Sequence, residues 1–68
     1  MMRGTIVHHR EDKHFGFIQP DDRTTPDIFF HVNNVLGDLP KIGDRVAFDF
    51  MADPMRPGRL RAMNVKLV

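Results

Sequence analysis

Four side chains able to stack on flat rings recur at two-residue spacing in two short runs. Phe15 and Phe17 lie in Lys13-His14-Phe15-Gly16-Phe17-Ile18, and Phe29 and His31 lie in Asp27-Ile28-Phe29-Phe30-His31-Val32. Each run is short, β-prone and bounded by turn residues, so each is read as a strand. Successive strand side chains point to opposite faces. Phe15 and Phe17 therefore share one face, as do Phe29 and His31, while Ile18, Ile28, Phe30 and Val32 fall on the other. A small protein buries only one face of such a sheet. With the aliphatic set as the core, three phenylalanines and a histidine are left outside, beside basic residues. That is a platform for stacking flat aromatic ligands, of which nucleobases are the commonest. An imidazole at His31 both stacks and donates a hydrogen bond.

Lys13 begins the first run and is placed to meet a phosphate, with Arg10 in a similar but weaker position. Arg56, Arg59 and Arg61 cluster around a later loop. They either extend a basic groove or keep an exposed strand soluble, and the sequence leaves that open. The four histidines (His8, His9, His14, His31) raise the question of a metal. His8 and His9 are neighbours that a regular strand sends to opposite faces, there is no cysteine, and no His-Glu-x-x-His arrangement exists; no metal site is expected. A bulge in the strand would be needed to expose both. Catalysis finds no nucleophile–base pair and no phosphate-cradling glycine loop, so the chain is read as a non-enzyme without a cofactor. Asp21, Asp22 and Asp27 lie in or beside a loop and are read as caps and solvating groups.

These residues need a scaffold of strands. Gly4 to His9, Lys13 to Gln19, Asp27 to Val32, Arg45 to Met51 and Arg59 to Val68 are the five candidates, with the first two forming a hairpin through Arg10-Glu11-Asp12. Pro20 to Pro26, Gly37 to Asp44 and Asp53 to Gly58 are loops by their Pro, Gly and Asp content. Asn33 and Asn34 favour a turn or one helical turn, with Val35 and Leu36 tucked inward. In the fourth strand Val46, Phe48 and Phe50 are expected inward and Arg45, Ala47 and Asp49 outward; in the fifth, Met63, Val65 and Leu67 inward. Five short strands without a convincing helix argue for a closed antiparallel β-barrel, because closure removes exposed edges.

The 68 residues suffice for one domain, spanning 1–68, with a small core and a stability of only about 3–5 kcal/mol. A net charge of +1 is low for a duplex-DNA binder, so placement of charge matters more than its sum. No apolar run approaches the ~20 residues of a membrane span. The absence of cysteine and of a signal-peptide pattern reads as cytoplasmic.

The two runs resemble the ribonucleoprotein motifs of the bacterial cold-shock domain, a five-stranded OB-fold barrel. Lys13-His14-Phe15-Gly16-Phe17-Ile18 is similar to Lys-Gly-Phe-Gly-Phe-Ile, and Ile28-Phe29-Phe30-His31-Val32 to Val-Phe-Val-His-Phe. Gly4 to Arg10 occupies the place of the family's opening Gly-x-Val-Lys-Trp-Phe-Asn. Gly43-Asp44-Arg45-Val46-Ala47-Phe48 matches Gly-x-x-Val-x-Phe, and Ala62-Met63-Asn64-Val65 matches Ala-x-Asn-Val. The resemblance covers nearly the whole chain and implies binding of single-stranded RNA or DNA, with RNA-chaperone activity, by a monomer. It implies stacking on Phe15, Phe17, Phe29 and His31, extended by His8 and His9, with Lys13, Arg10 and Arg61 at the backbone.

Several positions depart from the family pattern. His8 and His9 stand for its Trp and Phe, Val7 for its Lys, His14 for a Gly, and the loop after Val32 is shorter and lacks its usual aromatic. Fewer stacking surfaces imply weaker binding. Arg3-Gly4-Thr5-Ile6-Val7 and Gly58-Arg59-Leu60-Arg61-Ala62 further resemble a branch fused to a C-terminal membrane domain, which implies that this chain is the N-terminal domain of a longer protein. The alternative to nucleic-acid binding is a protein-interaction module, in which the aromatic face meets a peptide or partner domain.

Overall fold

The computed structural model describes residues 1–68. Five strands form it: β1 (Met2–Arg10), β2 (Phe15–Pro20), β3 (Ile28–His31), β4 (Arg45–Ala52) and β5 (Leu60–Leu67). The only helical pieces are two 3-10 turns, Glu11–Lys13 and Val32–Asn34. The strands close into a barrel in the order β1-β2-β3-β5-β4, with β4 returning to β1. Four of the pairings are antiparallel, but β3 and β5 run parallel and meet at Phe29 and Arg61. The expectation of a wholly antiparallel barrel is corrected at this junction. Both strands cross it in the same sense because a long connection through β4 separates them.

The barrel is filled by Ile6, Ile18, Ile28, Phe30, Val46, Phe48, Ala62 and Val65, with Met2, Val35 and Leu60 packed against them. Ile18, Ile28 and Phe30 are inside, as the alternation requires. Val32 is half-buried in the 3-10 turn rather than continuing β3. Val35 packs inward, and the adjacent Leu36 stays 55% exposed.

Two irregularities set the phase of the other strands. In β1, Ile6 pairs with Ile18 but His8 pairs with Phe17, so Val7 is the extra residue of a bulge. In β5 the register slips between Ala47↔Lys66 and Asp49↔Met63, setting Asn64 and Val65 against Phe48. Asn64 takes the left-handed conformation (φ 53), which Asn tolerates, and its amide donates to Asp49 at 3.1 Å. Leu60 and Ala62 therefore face in before the bulge and Val65 after it. Met63 pairs with Asp49 and is only half-buried, and Leu67 at the strand end is 43% exposed; neither joins the core as expected.

Phe50 also departs from expectation. Pairing of β4 with β1 reaches only Phe48↔Met2 at that end. Beyond it the inner face of β4 has no strand wall opposite, and Phe50 is left 49% exposed at the barrel mouth, near Met1 and Met2. Ala47, expected outside, is 1% exposed because it lies in the cross-strand row between Arg3 and Lys66.

On the loop after β2, Asp21 and Arg45 form a two-pronged ion pair at 2.6 and 2.7 Å, and Arg45 also donates to the Thr5 hydroxyl at 3.1 Å. The Arg45 hydrogen bonds hold the Asp21 carboxyl below its ordinary range. A carboxylate with a depressed folded-state pKa contributes stability above its unfolded value, near 3.9, and loses it as pH falls through the folded value. Asp21→Asn should therefore lower the melting temperature by a constant amount above about pH 5. The gap between wild type and variant should close as pH falls towards 2. A gap that persists unchanged into acid would show that the ion pair is not its source.

Candidate nucleic-acid interface

The outward face of β2 and β3 is built by strict alternation. Phe15, Phe17, Phe29 and His31 are half-exposed, while Gly16, Ile18, Ile28 and Phe30 between them are buried. Gly16 permits this close packing: a Cβ there would meet the Phe30 ring at 2.7 Å and overlap the carbonyl of His8. The three phenylalanine rings form one cluster, with centroids 5.6 Å apart for Phe15–Phe29, 5.9 Å for Phe17–Phe29 and 6.0 Å for Phe15–Phe17. Tilted and edge-on contacts at these distances are favourable aromatic geometry.

Strand register extends the cluster into two rows. One runs His8–Phe17–Phe29–Arg61 across β1, β2, β3 and β5; the other runs Arg10–Phe15–His31 across β1, β2 and β3. His8 is exposed, and its ring lies 6.0 Å from Phe17. The bulge at Val7 produces this placement, but it exposes Val7 and His8 in succession rather than His8 and His9. His9 pairs with Gly16 and turns inward, with its ring 6.0 Å from the core ring of Phe30 and its Nε2 sealed from solvent without a hydrogen-bond partner. The expected extension of the platform by His9 is thus corrected: with Ile6 inward, the extra residue at Val7 turns His8 outward and His9 inward.

His31 carries a second duty. Its Nδ1 accepts the backbone N–H of Asn33 at 3.1 Å and caps the Val32–Asn34 turn. In the neutral ring an accepting Nδ1 leaves the proton on Nε2, so His31 offers a donor away from its cap.

At the hairpin end Lys13 is exposed and makes no ion pair. The following His14 occupies the left-handed region (φ 60, ψ 33), where the cold-shock pattern has glycine; a non-glycine residue there costs about 1 kcal/mol. Its carbonyl accepts the N–H of Val32 at 3.0 Å and ties the hairpin to the end of β3. Arg10 is less available than the sequence suggests. Its guanidinium bonds Asp12 at 3.3 Å, and that bond holds the Asp12 carboxyl below its usual range.

Arg56, whose role the sequence left undecided, reaches the aromatic face. Its guanidinium lies 4.5 Å from the centroid of the Phe29 ring, within cation–π range. The loop that carries it is pinned by Asp53, which is 6% exposed and accepts the N–H of Met55 at 2.9 Å. Backbone bonds Asp53 N–H to Arg59 O, Arg56 N–H to Asp53 O and Arg59 N–H to Arg56 O complete two successive turns. Only the parallel β3–β5 contact, joining positions far apart in the chain, brings this loop to Phe29. Arg56, Arg59 and Arg61 are all without ion pairs, so the free positive charge lies mainly on the β5 side of the platform.

No three His, Cys, Asp or Glu side chains are grouped so as to hold a metal ion, and no helix is long and apolar enough to cross a membrane.

Comparison with known proteins agrees with this geometry. Residues 2–68 match the family model described as 'Cold-shock' DNA-binding domain. A curated relative, "Probable cold shock protein y4cH" of Sinorhizobium fredii (strain NBRC 101917 / NGR234), is 34% identical over 70 residues, covering 97% of each chain. A solved structure titled "drosophila Unr CSD456" superposes with a TM-score of 0.78 at 30% identity over 98% of this chain, which spans 26% of that one. The closed five-stranded barrel, its two aromatic strands and a family match over all but the first residue lead to one conclusion: this chain belongs to the cold-shock DNA-binding domain family, a family of nucleic-acid-binding domains.

Proposed function

We propose that this domain, residues 1–68, binds single-stranded RNA or DNA by stacking unpaired bases on its aromatic face. The observation that carries the reading is the cluster of Phe15, Phe17 and Phe29, three half-exposed rings within 6.0 Å of one another on adjacent strands. Aromatic rings on the outer face of a closed barrel, partly open to solvent and outside the core cluster, are free to take a ligand, and every base has a face to offer them. His8 and His31 continue the two rows. Lys13 at one end and Arg61 at the other supply charge for the backbone. Duplex is disfavoured because its bases already stack on one another. Trapping unpaired strands shifts weak RNA structures towards their melted form by mass action, without ATP, which is the physical content of RNA-chaperone activity.

Titration of a short fluorescent oligothymidine and its RNA counterpart, with duplex competitor, tests the proposal. Both single strands should bind and the duplex should compete poorly. With few free cations around the platform, log K against log salt should be shallow, about −0.7 for each of roughly two to four phosphate contacts. Absence of oligonucleotide binding at low salt would reject the proposal in favour of a protein partner for this face.

A further inference from the structure

The row His8–Phe17–Phe29–Arg61 does not end at β5. Arg61 pairs with Met51 of β4, so one line of outward side chains crosses all five strands. Alternation from buried Val46 and Phe48 sends Asp49 and Met51 outside, and Met51 is 43% exposed. Met63 lies on the same outer face, half-buried, two residues on from Arg61 and diagonal to Met51. Charge borders the two thioethers differently on their two sides. Arg59 and Arg61 make no ion pair, and Arg59 lines the cleft at the platform edge together with Phe17, Asp27, Phe29 and Arg56. Asp49, in register with Met63, is exposed and accepts the Asn64 amide at 3.1 Å.

From this arrangement we propose that a bound single strand runs on past the phenylalanine cluster, over Arg61, and packs a further base on Met51 and Met63, a surface of β4 and β5 outside the two aromatic strands. The inference rests on the proposed single-strand binding and deepens it by lengthening the path. Phe29 and Met51 are two strand spacings apart, about 10 Å. Arg61 stands between them, where its guanidinium meets a phosphate of the strand as it passes from one to the other. Methionine sulfur is polarizable and gains from contact with an aromatic ring about 5 Å away, and its flexible chain adapts to whichever base arrives. The barrel surface curves away from the platform at β5. An unpaired strand bends round that corner, whereas a duplex is stiff over about 150 base pairs. The Asp49 carboxylate repels phosphate and closes the path beyond Met63, so the strand stays on the Arg61 side.

The test uses carbon-13 labelled methionine methyl groups and two oligothymidines, a tetramer and a nonamer. The tetramer settles on the phenylalanine cluster, where stacking is strongest. The nonamer should in addition shift the methyl signals of Met51 and Met63, while those of Met1 and Met2, at the barrel mouth beside Phe50, stay in place. Met51→Ala should weaken nonamer binding about two- to tenfold and so narrow the ratio of nonamer to tetramer affinity. Its melting temperature should stay at the wild-type value, because Met51 lies outside the core cluster. Met51→Glu, which sets a second carboxylate beside the path, should narrow the ratio further. Met51 and Met63 signals that do not move while the nonamer binds overturn the extension and leave the stacking reading standing. So does a ratio that survives both substitutions at Met51. If neither oligomer binds, both readings fall.

Discussion

Alanine at Phe17 or at Phe29 should weaken single-strand binding by about 1–3 kcal/mol in each case while the barrel remains folded. Both rings sit in the row His8–Phe17–Phe29–Arg61, and each touches the other two phenylalanines of the cluster. A base on this face loses its stacking surface when either ring is cut back. The core, by contrast, loses little, because Ile18 and Ile28 fill the barrel beneath and are at most 1% exposed. The Phe29 variant also frees Arg56 from its ring contact, so its effect should depend more on salt than that of the Phe17 variant. Fluorescence titration of a short oligonucleotide, paired with a melting curve for each variant, separates binding from stability. Normal binding with a large drop in melting temperature would place these rings in the core.

Phe30→Ala, one residue further along β3, should give the opposite result. Phe30 is fully buried, with Gly16 packed against its ring and His9 at 6.0 Å. Removing a buried phenylalanine costs about 3–5 kcal/mol. A barrel of this size has a total stability of about the same magnitude. The variant should be largely unfolded at 25 °C, visible as loss of strand signal by circular dichroism and of any cooperative melting transition. Saturating oligonucleotide should recover part of the fold, since a ligand that binds only the folded form stabilises it. A Phe30 variant that melts like wild type and merely binds more weakly would mean that the two faces of β3 have been interchanged.

The contrast between neighbours at 29 and 30 was legible from the chain alone. Two-residue alternation is a local property of extended backbone, and with Ile18, Ile28 and Phe30 in phase only one face could serve as the core. The barrel class was legible for a similar reason: five short β-prone runs between Pro, Gly and Asp turns leave few other ways to bury one face. The turn at Asn33 and Asn34 was likewise readable, because it depends on residues adjacent in sequence.

Tertiary structure decided what depends on partners. A bulge shifts phase only relative to the strand opposite, so no local pattern located the extra residue at Val7 that turns His9 towards Phe30. Nor could it show that Asn64 would take Met63 out of the core. Whether Phe50 is covered depends on how far β1 reaches along β4. The pairing of Arg10 with Asp12 and of Asp21 with Arg45 is decided by competition among many charges of similar propensity. The parallel β3–β5 contact brings position 29 to position 61 and sets Arg56 on Phe29. The aromatic platform was therefore a property of the sequence. The cleft at its edge, lined by Asp27 and two unpaired arginines, exists only because the closed barrel brings together loops that lie about thirty residues apart in the chain.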